Sequence, residues 1–460
     1  MRSLLARSSA LFVVLAACGD EPVTNGVDAG GDAASRFDAD TVDAAPADGA
    51  APEGGLPGAA CAPLPAPPSN AVTVSNVATL RAALQNAAPN ATILVADGTY
   101  TLGVDEYLYV AAPGVTLRGK SGDATKVIID ANYAQGLGQS ILSIAASDVT
   151  VADLTLRRAY DHPIHVIPAF TNPKPISGVK IYRVHVEDPG QQGIKVNPEE
   201  PGFGNVQDGG TIACSRITLS AAGRAKIRDN CYTGGIDVHA ARGWTIRDNW
   251  IEGFWCPSGL SEHAIHCWKG CRDTIVERNV MVNDARGVGL GLGDATAGRV
   301  YGDSPCPSVT NYGNVGGVVR NNFVVATDPA LHASAAGFDV GIGLEKSCGG
   351  TNVVHNTVFS TQAPKGSAIE WRFAGTNPGV TNNLASHVLK ARDGATATQA
   401  GNVANATAGM FVDPTQGDLH LQASATTAID QGAPVGAGVC DGDVDGTQRP
   451  AARDVGADER

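Results

Sequence analysis

A five-residue phrase, small, aliphatic, x, aliphatic, y, returns seven times in the middle of the chain. It reads Pro163-Ile164-His165-Val166-Ile167, Gly193-Ile194-Lys195-Val196-Asn197, Gly235-Ile236-Asp237-Val238-His239, Ala264-Ile265-His266-Cys267-Trp268, Gly287-Val288-Gly289-Leu290-Gly291, Gly341-Ile342-Gly343-Leu344-Glu345 and Ala368-Ile369-Glu370-Trp371-Arg372. Aliphatic positions two apart, with variable residues between and after them, describe a strand with one buried and one outward side. The x and y positions are therefore expected to face solvent. A second motif, aliphatic-x-x-Asn, runs from Ile227 to Asn230, Ile246 to Asn249, Val276 to Asn279, Val319 to Asn322, Val353 to Asn356 and Val380 to Asn383. From Asn230 onward the two motifs alternate, at a period of roughly 20 to 45 residues that is the range of solenoids. Asparagine suits a turn here because it tolerates left-handed backbone and its amide can bond an asparagine stacked above it.

The two motifs together predict an all-β chain, a right-handed parallel β-helix in which each repeat is one coil, with an N-terminal capping helix and an irregular C-terminal cap. Strands of successive coils then pair about 4.8 Å apart. All x residues fall in one column: His165, Lys195, Asp237, His266, Gly289, Gly343 and Glu370. The y residues Ile167, Asn197, His239, Trp268, Gly291, Glu345 and Arg372 form a second. Seven coils make these lines about 30 Å long. Long insertions follow the y position, at about Pro198 to Ala213 and Leu292 to Gly316. Insertions on one side of a solenoid usually build its working face, so these should wall a groove over the columns.

The folded part begins late. A short basic region, an apolar run from Leu11 to Leu15 too short to span a bilayer, and Leu15-Ala16-Ala17-Cys18 resemble the lipobox of bacterial lipoproteins. That resemblance implies a signal peptide over 1–18, lipid on Cys18, and an exported chain anchored to the outer membrane or cell surface through its lipid only. Residues 19–60 are rich in Asp, Ala, Gly and Pro, with nine acidic residues against one basic, and are expected to be a disordered tether. This segment holds −8 of the total charge of −13, which leaves the folded part mildly acidic and excludes nucleic acid as a natural partner. The β-helix is expected over 61–410 and the C-terminal segment over 411–460, in a monomer. Asn76 should cap a helix from Val77 to about Ala88 whose Val77, Leu80 and Leu84 cover the open first coil. Strands follow at Thr92 to Tyr100, Val115 to Leu117, Val127 to Ile129 and Val149 to Val151.

Besides Cys18 there are nine cysteines, Cys61, Cys214, Cys231, Cys256, Cys267, Cys271, Cys306, Cys348 and Cys440. In an exported chain most should be disulfide-bonded, and the odd number leaves one free. Cys267 occupies an inward aliphatic slot and is expected to be buried. No Cys-x-x-Cys pair is present, which argues against a cysteine zinc site. Asp441, Asp443, Asp445 and Gly446 match the first half of an EF-hand-like calcium loop, but its twelfth position is Ala452, which favours a structural turn.

A regular outward groove of Lys, His, Asp, Glu, Arg and Trp suits an extended polymer of charged or hydroxylated units. Trp268 offers a face for a sugar ring. Asn197, Glu345, Glu370 and Arg372 line the rest of the groove, and Lys195, Lys269 and Arg372 could meet carboxylates. The chemistry that fits is β-elimination of an acidic polysaccharide: a base takes the proton beside the carboxylate while a cation neutralises it. Lys269, Lys195, His239 and His266 are the candidates for that work, and a lysine base requires a lowered pKa. A hydrolase would need clustered aspartates, and only Asp237 lies on the column.

The start of the coils and the C-terminal run from Phe411 to Glu459 resemble the pectate-lyase-like β-helix superfamily. Glu262 to Gly293 is similar to the chondroitinase B and alginate lyase family. The similarity implies a calcium ion on Glu262 and Lys269 as the base; Asp237, on the column, is a second metal candidate. Where that family carries an arginine, this chain has glycine, in Gly287-Val288-Gly289-Leu290-Gly291-Leu292-Gly293. Gly235-Ile236-Asp237-Val238-His239 resembles the Asp-x-His core of the mannuronan epimerases, with the tyrosine shifted to Tyr232. Three readings follow: a surface-tethered polysaccharide lyase first, a non-catalytic glycan- or partner-binding surface lipoprotein second, and a uronate epimerase third.

Overall fold

The computed structural model describes residues 61–136, 140–200, 202–293, 298–303, 305–306 and 312–460; the signal segment, Cys18 and the acidic stretch 19–60 lie outside them. Three long parallel sheets run the length of the molecule. The first has twelve strands, from Val72–Val74 to Thr398–Ala400; the second has ten, from Gly98–Thr101 to Leu384–Ala385; the third has ten, from Leu108–Val110 to Leu389–Arg392. Each coil visits the three in that order, so the chain is a parallel β-helix, wound in the hand that crossovers between parallel strands almost always take.

The five-residue phrase is the strand of the third sheet. Its inward aliphatic residues Ile164, Ile194, Ile236, Ile265, Val288, Ile342 and Ile369 stack in the core, all with no exposed surface. Pairing runs His165 to Lys195, Lys195 to Asp237, Asp237 to His266, His266 to Gly289, Gly289 to Gly343 and Gly343 to Glu370, so the x column exists in the expected register. Solvent exposure along it does not. Lys195, Asp237, His266 and Glu370 point away from the core yet are 6%, 1%, 0% and 4% exposed, because neighbouring side chains and the inserted loops close over them. The two insertions are tied together where Arg299 donates to both carboxylate oxygens of Asp208, at 2.7 and 2.9 Å.

The aliphatic-x-x-Asn motif ends each strand of the first sheet and makes the turn into the second. Asn249, Asn279, Asn322, Asn356 and Asn383 each accept, on Oδ1, the N–H and side-chain amide of the preceding rung, or at the lower end the Ser215 N–H alone, at 2.9–3.1 Å. Each side-chain amide also bonds the carbonyl of an aliphatic residue one coil down, so the buried turn is satisfied internally. Three details differ from the sequence expectation. Asn230 is exposed and lies between the second and third sheets, outside the ladder. Asn402 adds a top rung, accepting from Asn383. The left-handed residue is the one before each rung, Asp248, Arg278, Asn321, His355 or Asn382, not the ladder asparagine itself.

The capping helix spans Val77–Gln85, with Asn76 Oδ1 accepting from the Thr79 N–H at 2.9 Å and Leu80 and Leu84 buried against the first coil. At the other end the coils continue past Asn383, and the segment after them does more than cover the last one. The antiparallel pair Phe411–Asp413 and Asp418–Leu421 joins Ala428, Val444, Val455 and Ala457 in a second apolar cluster with Val280, Phe323 and Phe359 of the second sheet, along its outer side. Asp443 Oδ1 accepts from the N–H groups of Asp445 and Thr447, the hydrogen bonding of a structural turn.

Four disulfides join Cys61 to Cys214, Cys231 to Cys256, Cys267 to Cys271 and Cys306 to Cys348, and Cys440 is free and buried. Cys267 does fill an inward slot, but as half of a disulfide rather than as a thiol. Such cross-linking belongs to an oxidising, extracytoplasmic compartment. Among the described residues no helix is long and apolar enough to cross a membrane.

One buried acid makes stability depend on pH. Asp284 accepts the Phe254 N–H on one oxygen at 2.8 Å, while its other oxygen is buried without a partner. Burial, with Glu252 nearby, pushes its carboxyl well above the usual range. The folded state therefore holds this proton more tightly than the unfolded one. Its contribution is fullest below about pH 4 and is lost as pH rises towards the folded value. Asp284→Asn keeps the acceptor and cannot ionise. The amide leaves an unpartnered group at the second position and removes only the ionisation, so Tm should rise at pH 8 and change little near pH 4. Equal shifts at both pH values in thermal melts would refute this.

Candidate functional site

Halfway along the third sheet three strands, Gln192–Val196, Gly234–His239 and Ile265–Trp268, present Lys195, Asp237, His239, His266 and Trp268 on one outward patch. Alternation puts the five side chains on that side, and stacking at strand spacing brings them into contact. Lys195 Nζ contacts Asp237 Oδ2 and lies 2.9 Å from both the Tyr232 hydroxyl and His239 Nε2. Asp237 is surrounded: its Oδ2 also meets His239 Nε2 at 3.1 Å, and its Oδ1 accepts the Trp268 indole N–H at 2.9 Å. His239 Nδ1 lies 2.9 Å from Glu200 Oε1, and Lys269 Nζ bonds the other Glu200 oxygen. Glu200 comes from the first insertion, which folds back over the sheet.

This geometry reassigns several expected roles. A lysine base needs its pKa lowered, but Lys195 goes the other way: burial pulls it down, and Asp237 and Tyr232 more than offset that, holding the ammonium above the ordinary lysine range. Asp237 is opposed by burial and held well below the usual carboxylate range by Lys195 and His239. Lys195 is thus a fixed cation. Lys269 is not free to abstract a proton either, being paired with Glu200, whose carboxyl is brought down to about 2 against its burial by hydrogen bonds from His239 and Lys269. His239 is left as the group with a suitable chemistry. With Glu200 accepting from Nδ1–H, the neutral ring has its lone pair on Nε2, where the Lys195 ammonium donates to it. The Tyr232 hydroxyl is held above its usual range by burial, against the pull of Lys195, and so keeps its proton.

The other expected residues divide. Trp268 is not an open platform: His266 stacks on it with ring centres 5.3 Å apart and planes 2° from parallel, and the Lys269 ammonium lies 4.7 Å from its ring centre. Asn197 Oδ1 is 2.6 Å from His165 Nε2, so His165 finds its polar partner one coil up rather than at Ile167. Glu345, Glu370 and Arg372 sit further along the column, beyond Gly289 and Gly343, in a separate charged group. Glu370 and Arg372 do not pair with each other. Arg392 reaches Glu370 at 3.2 Å, and Arg372 bonds Glu345 at 3.2 Å and Asp393 at 2.7 Å.

Glu262 does not have the surroundings of a calcium ligand. Its neighbours are the imidazoles of His263 and His266, whereas calcium takes six to eight oxygens. Asp237 spends both oxygens on Lys195, His239 and Trp268. The glycine in place of an arginine has a steric cause: a Cβ on Gly289 would lie 2.6 Å from the His263 ring, which occupies the outward space above it. Glu200 and His263 were not expected from the sequence. The Glu199-Glu200 pair in an insertion was a usable signal for the first, and the Glu262-His263-x-x-His266 spacing for the second.

No family model matches the sequence, and no protein of curated function matches it. Solved structures do. The pectate lyase Pel9A aligns over 82% of this chain and 90% of its own at 14% identity, with a TM-score of 0.51. An alginate lyase from Paenibacillus sp. str. FPU-7 aligns over 71% and 97% at 13% identity and TM-score 0.37. PfbA, a surface adhesin of Streptococcus pneumoniae, aligns over 71% and 84% at 11% identity and TM-score 0.40. With the parallel sheets, their order and the stacked columns in place, the chain is a right-handed parallel β-helix sharing its fold with the pectate lyase Pel9A.

Proposed function

We propose that the chain is an exported enzyme, tethered through lipid on Cys18, that acts on an acidic polysaccharide by removing the proton beside a uronate carboxylate. One observation carries this reading: on one outward patch the charged Lys195 ammonium lies 2.9 Å from both His239 Nε2 and the Tyr232 hydroxyl, with Glu200 on the far nitrogen of His239. Lys195 supplies the positive charge that a uronate carboxylate needs for its C5 proton to become acidic. His239 Nε2 takes that proton. The C4–O4 bond breaks as the C4–C5 double bond forms, and Tyr232, which keeps its proton, gives it to the departing O4. The pectate lyase that shares this fold supports the substrate class.

A second reading has its own observation in its favour. Tyr232, displaced in sequence from the epimerase pattern, is brought back in space to Lys195 beside Asp237-x-His239. Proton removal would then be followed by return of a proton from Tyr232 to the opposite side of C5. One experiment separates the readings: the purified protein is incubated in D2O with a panel of uronate polysaccharides, following both unsaturated-uronate absorbance and deuterium at C5. Absorbance supports the lyase, deuterium without absorbance the epimerase. Neither signal, with glycan still retained by the protein, would make it a surface binder and sink the catalytic proposal.

A further inference from the structure

At the edge of the Lys195 patch, sharing His266 with it, three buried polar atoms converge with no hydrogen bond to satisfy them: Glu262 Oε2, His263 Nδ1 and His266 Nδ1. His263 and His266 are 6% and 0% exposed. One ligand atom from each of the three residues lies within 4.8 Å of the others. A buried polar atom without a partner is costly, and three pointing at one another are costlier still.

The tautomer of His266 sharpens the case. Its Nε2 lies 3.2 Å from the Gly291 carbonyl, which can only accept, so Nε2 carries the hydrogen and the neutral ring has its lone pair on Nδ1. That lone pair sits 3.1 Å from Glu262 Oε2 and 3.8 Å from Asp237 Oδ1. A lone pair facing a carboxylate is repulsive unless a proton or a metal cation lies between them, and a metal also gives the neighbouring His263 Nδ1 a partner. A metal-bound histidine usually gives its second N–H to a backbone carbonyl or carboxylate, as His266 does here. The glycine at 289 fits the same arrangement, since any side chain would drive out the His263 ring.

We infer that Glu262, His263 and His266 form a binding site for a divalent first-row transition metal, with two imidazole nitrogens and one carboxylate as ligands. This donor set is that of zinc-type sites that keep a further position open. The small closing motion it requires is side-chain rotation, since the ligand atoms are slightly farther apart than a common ion would hold them. The site stands independently of the catalytic reading, and its test does not use activity.

The purified protein, stripped with chelator, is dialysed against Zn2+ or Co2+ and metal is counted per chain. One equivalent is expected, with the visible absorption of low-coordinate Co2+. His263→Ala and Glu262→Gln should each weaken binding by about 100-fold or more, and Gly289→Ala, which keeps every ligand but crowds His263, by about 10-fold or more. His420→Ala, which removes the other His–carboxylate cluster (His420, Asp445 and Asp458), should leave the equivalent in place. No stoichiometric metal on the unaltered protein would overturn the inference and leave a proton between His266 and Glu262. So would an equivalent that survives both His263→Ala and Glu262→Gln, or that is lost in His420→Ala alone.

Discussion

His239→Ala is expected to lower kcat/KM on the responsive polysaccharide by about 10²- to 10⁴-fold, the range associated with a positioned general base. Most of the loss should fall on kcat, because on the proposed mechanism His239 acts on the reacting proton and does not hold the sugar ring. The fold should survive, since Lys195 and Asp237 still pair when the imidazole is removed. Glu200→Gln tests the same chain of interactions one step back. Glu200 acts through His239, holding Nδ1–H so that the lone pair sits on Nε2, and a glutamine can donate as well as accept and so relaxes that choice. Its effect should be a smaller fall in kcat together with a displaced acid limb of the pH–rate profile, which a purely structural carboxylate would not move. Steady-state rates across pH for both variants decide the matter. An unchanged kcat in His239→Ala would remove histidine from the chemistry.

The repeating phrase made the third sheet legible residue by residue, because one strand per coil must carry aliphatic residues at the two inward positions and each further coil adds another instance. What the phrase could not show was the fate of the outward side. Lys195 reads as an exposed lysine until Asp237, Tyr232 and the Glu200 insertion are stacked against it, and its charge state follows from those neighbours rather than from its own strand. The insertion was visible as a long loop, but which of its acids returns to the sheet depends on a path that no periodicity encodes. The asparagine motif shows the same limit. Asn230 satisfies the spacing and lies outside the ladder, while Asn402 has Gln399 at the aliphatic position and completes it. A rung is defined by the neighbour it bonds, and three-residue spacing only correlates with that. His263 lay just outside the repeating phrase and so fell outside the column reading, although the glycine opposite it at 289 marked the space its ring needs.

Lys195→Met should be the most destabilising single change at the patch, at about 3–5 kcal/mol near neutral pH, because it leaves the Asp237 carboxylate buried without its cation. Lys269→Met, which breaks the more exposed pair with Glu200, should cost only about 0–1 kcal/mol. Both changes remove one lysine charge and one ion pair, so the contrast reports burial together with the Lys195 contacts to Tyr232 and His239. Removing the partner too, in Lys195→Met/Asp237→Asn, should recover part of the loss, with a coupling of about 0.5–3 kcal/mol between the two positions. The pH dependence gives an independent sign. In the native protein the Asp237 pKa is depressed, so its contribution is present above about pH 4 and lost as pH falls further; the Lys195 pKa is raised, so its contribution is present below about pH 10 and lost above it. The pair is therefore flat between those limits. In Lys195→Met the buried carboxylate has lost its main stabilising charge and gains from protonation, so the destabilisation should shrink from pH 8 to pH 5. Denaturant midpoints at the two pH values measure this directly. Parallel changes in the variant and the unaltered protein would mean that Asp237 is already satisfied by Trp268 and His239, and that Lys195 is held at the patch for its charge on substrate alone.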